Sequence, residues 1–409
     1  MIVLSGAEII LPDRILTPGT LVIDGDRIAE IRQGTPHTGG FAFQGHYIVP
    51  GFVDVHVHGV EGVDALDSAD AVSAIAGRLP AYGVTSFCPT SVASSPSALG
   101  RMLAGVRAAR AAPQPGAARV LSAHLESNFI SPEYCGAQPA RCLRAAQNAL
   151  KEWAGRALRL ADARSGQAGE NENDFDGADI LREIERAIPD VGIVTVAPEI
   201  EGGLDLVRWL VERGCRVSLG HSGATYDEAL AAIAAGATQA THLFNRMPPL
   251  GHRSPGLAGA VLQAEEVAAE IICDGVHVHP AVVRAAVAAK RPARVMAITD
   301  GTSVSGLPAG SRGTLGGFEI TAAERGAYLG DGTLAGSALT MNRAFRTIVE
   351  EVRLSLVDAA VMCSTTPARE LGLIGHGVLA PDAVADLAIL DADFSVVQTY
   401  IGGQLAYSR

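Results

Sequence analysis

The sequence predicts a (β/α)8 barrel carrying a small β-domain assembled from the two chain ends. Three observations predict it. Eight short apolar runs are separated by helical stretches, strand rhythm dominates both termini, and metal-type side chains sit at or just after the ends of the runs. Side chains delivered from the ends of successive strands into one place are how such a barrel builds an active site.

The eight candidate barrel strands are Phe52–His58, Val84–Pro89, Ala118–Glu126, Gly192–Ala197, Arg216–Gly220, Gln239–Leu243, Ala268–Cys273 and Arg294–Thr299, the number that closure requires. Ahead of them, Met1–Leu4, Glu8–Leu11, Thr20–Asp24, Arg27–Ile31 and His46–Val49 read as strands, with Asp24-Gly25-Asp26 as a hairpin signal. Behind them, Ala385–Leu390 and Val396–Ile401 return to strand rhythm, with turns at Asp391–Asp393 and Gly402-Gly403. The expected division is therefore residues 1–50 plus 377–409 for the β-domain and 51–376 for the barrel. The acidic segment Arg164–Asp179 has few large apolar side chains and reads as an exposed loop or lid.

Composition bounds the function. Of 409 residues, 48% are hydrophobic and 19% charged, which fits a large buried core. A net charge of −12 argues against a nucleic-acid binder. The start Met1-Ile2-Val3-Leu4-Ser5-Gly6 lacks the basic, apolar pattern of a signal peptide. No apolar run approaches the roughly 20 residues of a membrane span. The six cysteines are scattered without a CxxC, so reduced thiols in a cytoplasmic protein are expected. Lys151 and Lys290 are the two lysines, and both lie in helical runs (Ala145–Ala154 and Ala281–Lys290). Neither stands at a strand end, which disfavours hydrolases whose two metals are bridged by a carboxylated lysine.

The candidate site begins with His56 and His58. Residues two apart on a strand face the same way, so both can look into the barrel, and the same spacing pairs His124 with Glu126. His221 and His242 each follow an apolar run, and Asp300 follows the eighth. Singly, each has a plainer role: histidines satisfied by hydrogen bonds, a buried salt bridge for Glu126, and a turn or helix N-cap for Asp300. Five such residues at successive strand ends are harder to explain as packing. Together they have the chemistry to hold a metal that activates water.

The sequence resembles the N-acetylglucosamine-6-phosphate deacetylases of the amidohydrolase superfamily. The resemblance rests on PGFVDVHVHG (50–59), HLE (124–126), VAPE (196–199), LGHSGATYDEA (219–229), ATHLFNRMPPLGHRSPG (240–256), ICDGVHVHP (272–280), ITDG (298–301), LAGSALTMNRA (334–344), TTPARELGL (365–373) and GVLAPDAVADLAILD (377–391). It implies a TIM-type barrel with a small β-sandwich from the termini, and a homodimer. It implies that Glu126, His221 and His242 hold the principal divalent metal, that His56 and His58 hold a second one in some members, and that Asp300 is catalytic. It also implies that Asn245, Arg253 and His277 bind the sugar phosphate, with Arg253 reaching the neighbouring subunit's site. The implied reaction is metal-dependent removal of the acetyl group from an N-acetylated amino sugar, N-acetylglucosamine-6-phosphate or a close relative. Zinc is the first expectation for the metal; iron, manganese and cobalt also suit histidine and carboxylate ligands, at one or two ions per subunit.

Several positions depart from the family pattern. Ser127-Asn128 replaces Gly-Pro, Gly136-Ala137-Gln138 replaces Gly-Ala-His, Arg246 stands for alanine and Asn342 for aspartate. The stretch between Cys142 and Pro189 is also longer. These departures are expected to surround the substrate, which adds Ala137, Gln138 and Arg246 to its candidate contacts. They suggest a retained reaction type and an altered substrate. The alternatives are an amidohydrolase acting on another small N-acyl compound and a non-catalytic barrel scaffold; the retained ligands and Asp300 disfavour the second.

Overall fold

The computed structural model describes residues 1–34, 41–160 and 175–409. Its central feature is a ring of eight parallel strands: Phe52–Val57 (β1), Val84–Ser91 (β2), Ala123–Glu126 (β3), Val191–Val196 (β4), Arg216–Leu219 (β5), Ala237–Ala240 (β6), Ala268–Ile272 (β7) and Val295–Ile298 (β8). Every residue of β1, β2, β4 and β7 is buried, as expected of parallel strands covered on both faces by helices. The ring closes at the C-terminal end of its strands. Val57 pairs in parallel with Gly301, Asp300 N–H donates to the His56 carbonyl at 3.1 Å, and His58 N–H donates to the Gly301 carbonyl at 2.8 Å. The seam of the barrel therefore runs through three of the candidate site residues.

All eight expected strands are present. The third is broken into Arg119–Val120 and Ala123–Glu126, both paired with β2. Between them the Ser122 side chain fills the space against Gly192, where a Cβ would lie 2.3 Å from its hydroxyl. Beyond β5, Thr225 and Glu228 form a capping box for helix Tyr226–Ala234, which fixes the loop just after His221. Of the expected loop at Arg164–Asp179, residues 164–174 lie outside the described residues. Residues 177–179 form instead the first turn of helix Gly177–Ala187, capped by Asp176. The low apolar content there belongs to the cap, and the apolar face starts with Ile180.

The chain ends join as expected. Strands Ile2–Ile10, Ile15–Asp24, Arg27–Gln33 and Tyr47–Pro50 hydrogen-bond in one sheet with Leu387–Leu390, Val396–Ile401 and Gln404–Ser408. Their inward residues, among them Leu4, Ile9, Leu21, Ile48, Leu387 and Ile389, share an apolar cluster separate from that of the barrel. An antiparallel sheet of Arg312–Leu315, Phe318–Ala322 and Ala327–Leu329 follows β8 and was not foreseen. Gly316-Gly317 between its first two strands is a hairpin signal that sequence reading could have used.

Asp386 ties barrel to terminal sheet. Its carboxylate accepts from Arg119 beside β3, from Gly402 N–H at 2.7 Å in the last turn, and meets His376 Nδ1 at 2.9 Å. Burial pushes the carboxyl up, but His376, Arg119 and Gly402 outweigh it and hold it below the usual range. Asp386→Asn should cost about 2 kcal/mol at neutral pH, read from urea midpoints. Because the folded pKa is depressed, this stability is complete above the unfolded value of about 4 and fades as pH falls through the folded value. The gap between wild type and variant should narrow in acid. A constant gap would refute the charge-based account.

Candidate metal centre

The strand ends bring Glu126, His221, His242, His56, His58 and Asp300 together at the C-terminal mouth of the barrel. Glu126, at the end of β3, is the hub. Its Oε1 lies 3.0 Å from His221 Nε2 and 2.9 Å from His242 Nε2, and its Oε2 lies 3.4 Å from His58 Nε2. Asp300 Oδ1 is 3.3 Å from His56 Nε2 and 3.2 Å from His58 Nε2. The ligand atoms of Glu126, His221 and His242, and separately of His56, His58 and Glu126, cluster tightly enough to hold one cation each. All six residues are buried.

Backbone strain builds this geometry. His221, His242 and Asp300 adopt φ of +47°, +30° and +49°, a left-handed region that non-glycine residues rarely occupy. Each stands two positions beyond the last residue of its strand, so the chain turns sharply there and aims the side chain across the mouth. Gly336, at φ +56°, lies against Asp300; a Cβ there would stand 3.0 Å from the Asp300 carbonyl.

The electrostatics fit a cation. His221 Nε2 and His242 Nε2 face each other at 3.1 Å, and His56 Nε2 and His58 Nε2 at 3.2 Å. Paired imidazole nitrogens aimed at one point beside a carboxylate are a donor set for a divalent ion. Burial drives His56 down to about 4. Burial would lower His58 too, but hydrogen bonds and charge from Asp300 and Glu126 raise it to about 10. Burial pushes Glu126 up, yet His221, His242 and His58 hold it well below the usual range. Asp300 is likewise lowered, burial being overcome by His56 and His58. Two ionised carboxylates thus call for positive charge among the histidines, a demand a divalent cation meets.

A cavity of about 430 Å³ opens above this centre, in the range of small-molecule sites. His58, Glu126, His221, His242 and Asp300 line its floor, and Ala137, Gln138, Asn245, Arg246 and His277 its walls. His56 lies beneath. Arg253 is exposed and does not line the cavity of its own chain. Glu133, Tyr134, Phe244, Met247, Leu315, Leu334 and Gly336 complete the lining and were missed. Tyr134 also fixes His221, whose Nδ1 meets its carbonyl at 2.8 Å. A contact through a main-chain oxygen leaves no trace in residue identity. Glu270, a charged residue in the apolar run Ala268–Ile272, was a legible signal that was overlooked.

The departures do not all surround the substrate. Ser127 Oγ donates to the Thr195 carbonyl at 2.6 Å, and Asn128 Nδ2 donates to the Ser94 and Cys142 carbonyls at 2.8 and 2.7 Å. Asn342 Oδ1 accepts from the Thr340 hydroxyl at 2.8 Å, at the start of its own helix. These three serve local structure, and only Gln138 and Arg246 reach the cavity. Gln138 donates to Glu126 Oε2 and accepts from Ala93 N–H at 2.7 Å, which holds its amide rigidly. Arg246 packs on Gly136, where a Cβ would stand 2.4 Å from its Nε. Its guanidinium has no carboxylate partner among the described residues; its one hydrogen bond is to the Leu334 carbonyl at 3.5 Å. Lys151 bonds to Gln147 and Lys290 to the Ala264 carbonyl, so neither lysine enters the centre.

The amidohydrolase family model matches residues 47–406. The chain is 32% identical over 367 residues to N-acetylglucosamine-6-phosphate deacetylase of Bacillus subtilis, covering 88% of this chain and 84% of that protein. It is 34% identical over 361 residues to N-acetylgalactosamine-6-phosphate deacetylase of Escherichia coli O157:H7, covering 88% and 87%. The solved structure of a Mycobacterium smegmatis N-acetyl-D-glucosamine-6-phosphate deacetylase variant, in complex with N-acetyl-D-glucosamine-6-phosphate, superposes with a TM-score of 0.85 at 32% identity, over 100% of this chain and 99% of that one. The chain belongs to the amidohydrolase family, in the branch of the N-acetylglucosamine-6-phosphate deacetylases.

Proposed function

We propose that this enzyme hydrolyses the acetamide of an N-acetylated amino-sugar phosphate, N-acetylglucosamine-6-phosphate or a close hexosamine relative. The observation that carries the reading is Glu126 shared between two histidine pairs, with Asp300 beside them at the floor of one cavity. Glu126, His221 and His242 would hold the principal metal, and His56 and His58 a second; zinc is the first choice, with iron, manganese or cobalt compatible. A cation so held supplies Lewis acidity toward the acyl oxygen and lowers the pKa of water.

The remaining chemistry falls to the chain. Asp300, kept ionised by its histidine neighbours, accepts the proton of the attacking water. It then returns that proton to the amine nitrogen, without which the amine is a poor leaving group. Gln138, fixed between Glu126 and Ala93, has a second N–H to offer the acyl group or the sugar. Asn245, Arg246 and His277 form the polar wall suited to the phosphate, and a planar guanidinium matches its oxygens.

A homodimer is part of the proposal. Leu250 and Val282, 51% and 41% exposed, line an apolar hollow that shares Phe244 and His277 with the cavity, a surface of the kind that subunit contacts cover. Arg253 would reach the neighbouring subunit's phosphate from there. Residence in the cytoplasm suits the six unpaired thiols. Among the described residues no helix is long and apolar enough to cross a membrane.

Amine release should be measured on N-acetylglucosamine and N-acetylgalactosamine, each with and without a 6-phosphate. The phosphorylated forms should be preferred, and Arg246→Ala and Arg253→Ala should each raise KM about 10- to 100-fold for them alone. No turnover of any hexosamine would sink the substrate. An unchanged KM in Arg253→Ala would remove that residue from the neighbouring site.

A further inference from the structure

His58 and His221 are oriented by main-chain oxygens: His58 Nδ1 meets the Thr90 carbonyl at 3.2 Å, and His221 Nδ1 the Tyr134 carbonyl at 2.8 Å. Among the described residues His242 Nδ1 has no hydrogen-bond partner. His56 differs from all three. Its Nδ1 lies 3.0 Å from a side-chain carboxylate oxygen, Glu270 Oε2, and both residues are fully buried.

Glu270 is an unusual occupant of β7. Among the described residues its Oε1 has no hydrogen-bond partner, and an orphaned buried carboxylate oxygen is costly. His124 Nδ1 stands 3.8 Å from that oxygen and already faces the Val55 carbonyl at 3.0 Å. With Nδ1 donating there, neutral His124 has one lone pair, on Nε2, and the Thr195 hydroxyl meets it at 2.9 Å. Hence His56, His124 and Glu270, though close enough together to suggest a cation site, lack the lone pairs for one. What remains to Glu270 is His56 Nδ1, from which an ionised carboxylate accepts.

We propose that Glu270 is the positioning residue of the second metal position. By taking the Nδ1–H of His56 it selects the tautomer whose Nε2 lone pair faces Asp300 at 3.3 Å and Glu126 at 3.6 Å. A carboxylate in this place also strengthens the imidazole as a ligand. The His56–Glu270 contact does not involve the side chains of His221 and His242. Glu270 therefore decides whether the centre holds two cations or one. The inference rests on the metal-centre reading above.

Metal-free wild type, Glu270→Gln and Glu270→Leu should be titrated with zinc against a chromophoric chelator, with circular dichroism as the control for folding. Wild type should take up two equivalents. In Glu270→Gln the first should bind within about twofold of wild type and the second about 10- to 100-fold more weakly. Glu270→Leu should keep the first equivalent and lose the second. If the leucine variant does not fold, the split between sites in the glutamine variant decides alone. A second site in Glu270→Gln within twofold of wild type overturns the inference, as does equal weakening of both sites or a wild type that binds one equivalent. A wild type that binds no zinc, iron, manganese or cobalt overturns the metal-centre reading and this inference together.

Discussion

Asp300→Asn is expected to lower kcat for the preferred hexosamine phosphate by about 10³- to 10⁴-fold, with KM within about threefold of wild type. The substitution keeps shape and removes the acceptor. It leaves Glu126, His221 and His242 untouched, so the principal metal should stay bound, and elemental analysis would check that. Asp300 Oδ1 also approaches His56 and His58 at 3.3 and 3.2 Å, so some loosening of a second ion is expected. That side effect belongs to metal content, which separates it from the loss of proton transfer. A loss of a thousandfold corresponds to about 4 kcal/mol of transition-state stabilisation. A kcat within tenfold of wild type would mean that another group moves the proton.

Glu126→Gln should empty the centre. Both candidate cation positions share this carboxylate: Oε1 faces His221, His242 and His56, and Oε2 faces His58. Neutralising it leaves histidines facing one another across a buried floor with one acid fewer. Bound metal should fall close to zero, and kcat/KM by about 10³-fold or more. The fold should survive, because β3 pairs with its neighbours through the main chain. Normal metal content in this variant would place the ions elsewhere.

Much of the barrel was legible because its strands are apolar runs that little else explains. The ligands were legible for the opposite reason: His56, Glu126, His221 and His242 interrupt apolar surroundings where polar groups are costly. The outward reach of side chains was harder to read. Ser127 and Asn128 break the family pattern beside Glu126, yet they bond to main-chain carbonyls and never meet the cavity. Glu270 carried the same signal as Glu126, a charge in an apolar strand, but it comes from the seventh strand and acts through another side chain. The sheet after β8 was hidden because its strands are only four, five and three residues long, too short for a period to show.

The polar layer under the cavity is expected to tie the abundance of this protein to its metal supply. Where comparable barrels stack valine, isoleucine and leucine, this one buries Asp54, His56, His124 and Glu270 completely. Burial pushes both the Asp54 and Glu270 carboxyls up to about 7, a measure of how poorly the metal-free interior tolerates charge. A cation that binds the native state alone adds about 2.7 kcal/mol at a hundredfold excess over its Kd. In a cell short of that cation the unfolded fraction rises, and proteases remove it. Scarcity would then thin the number of intact copies as well as silence those that remain.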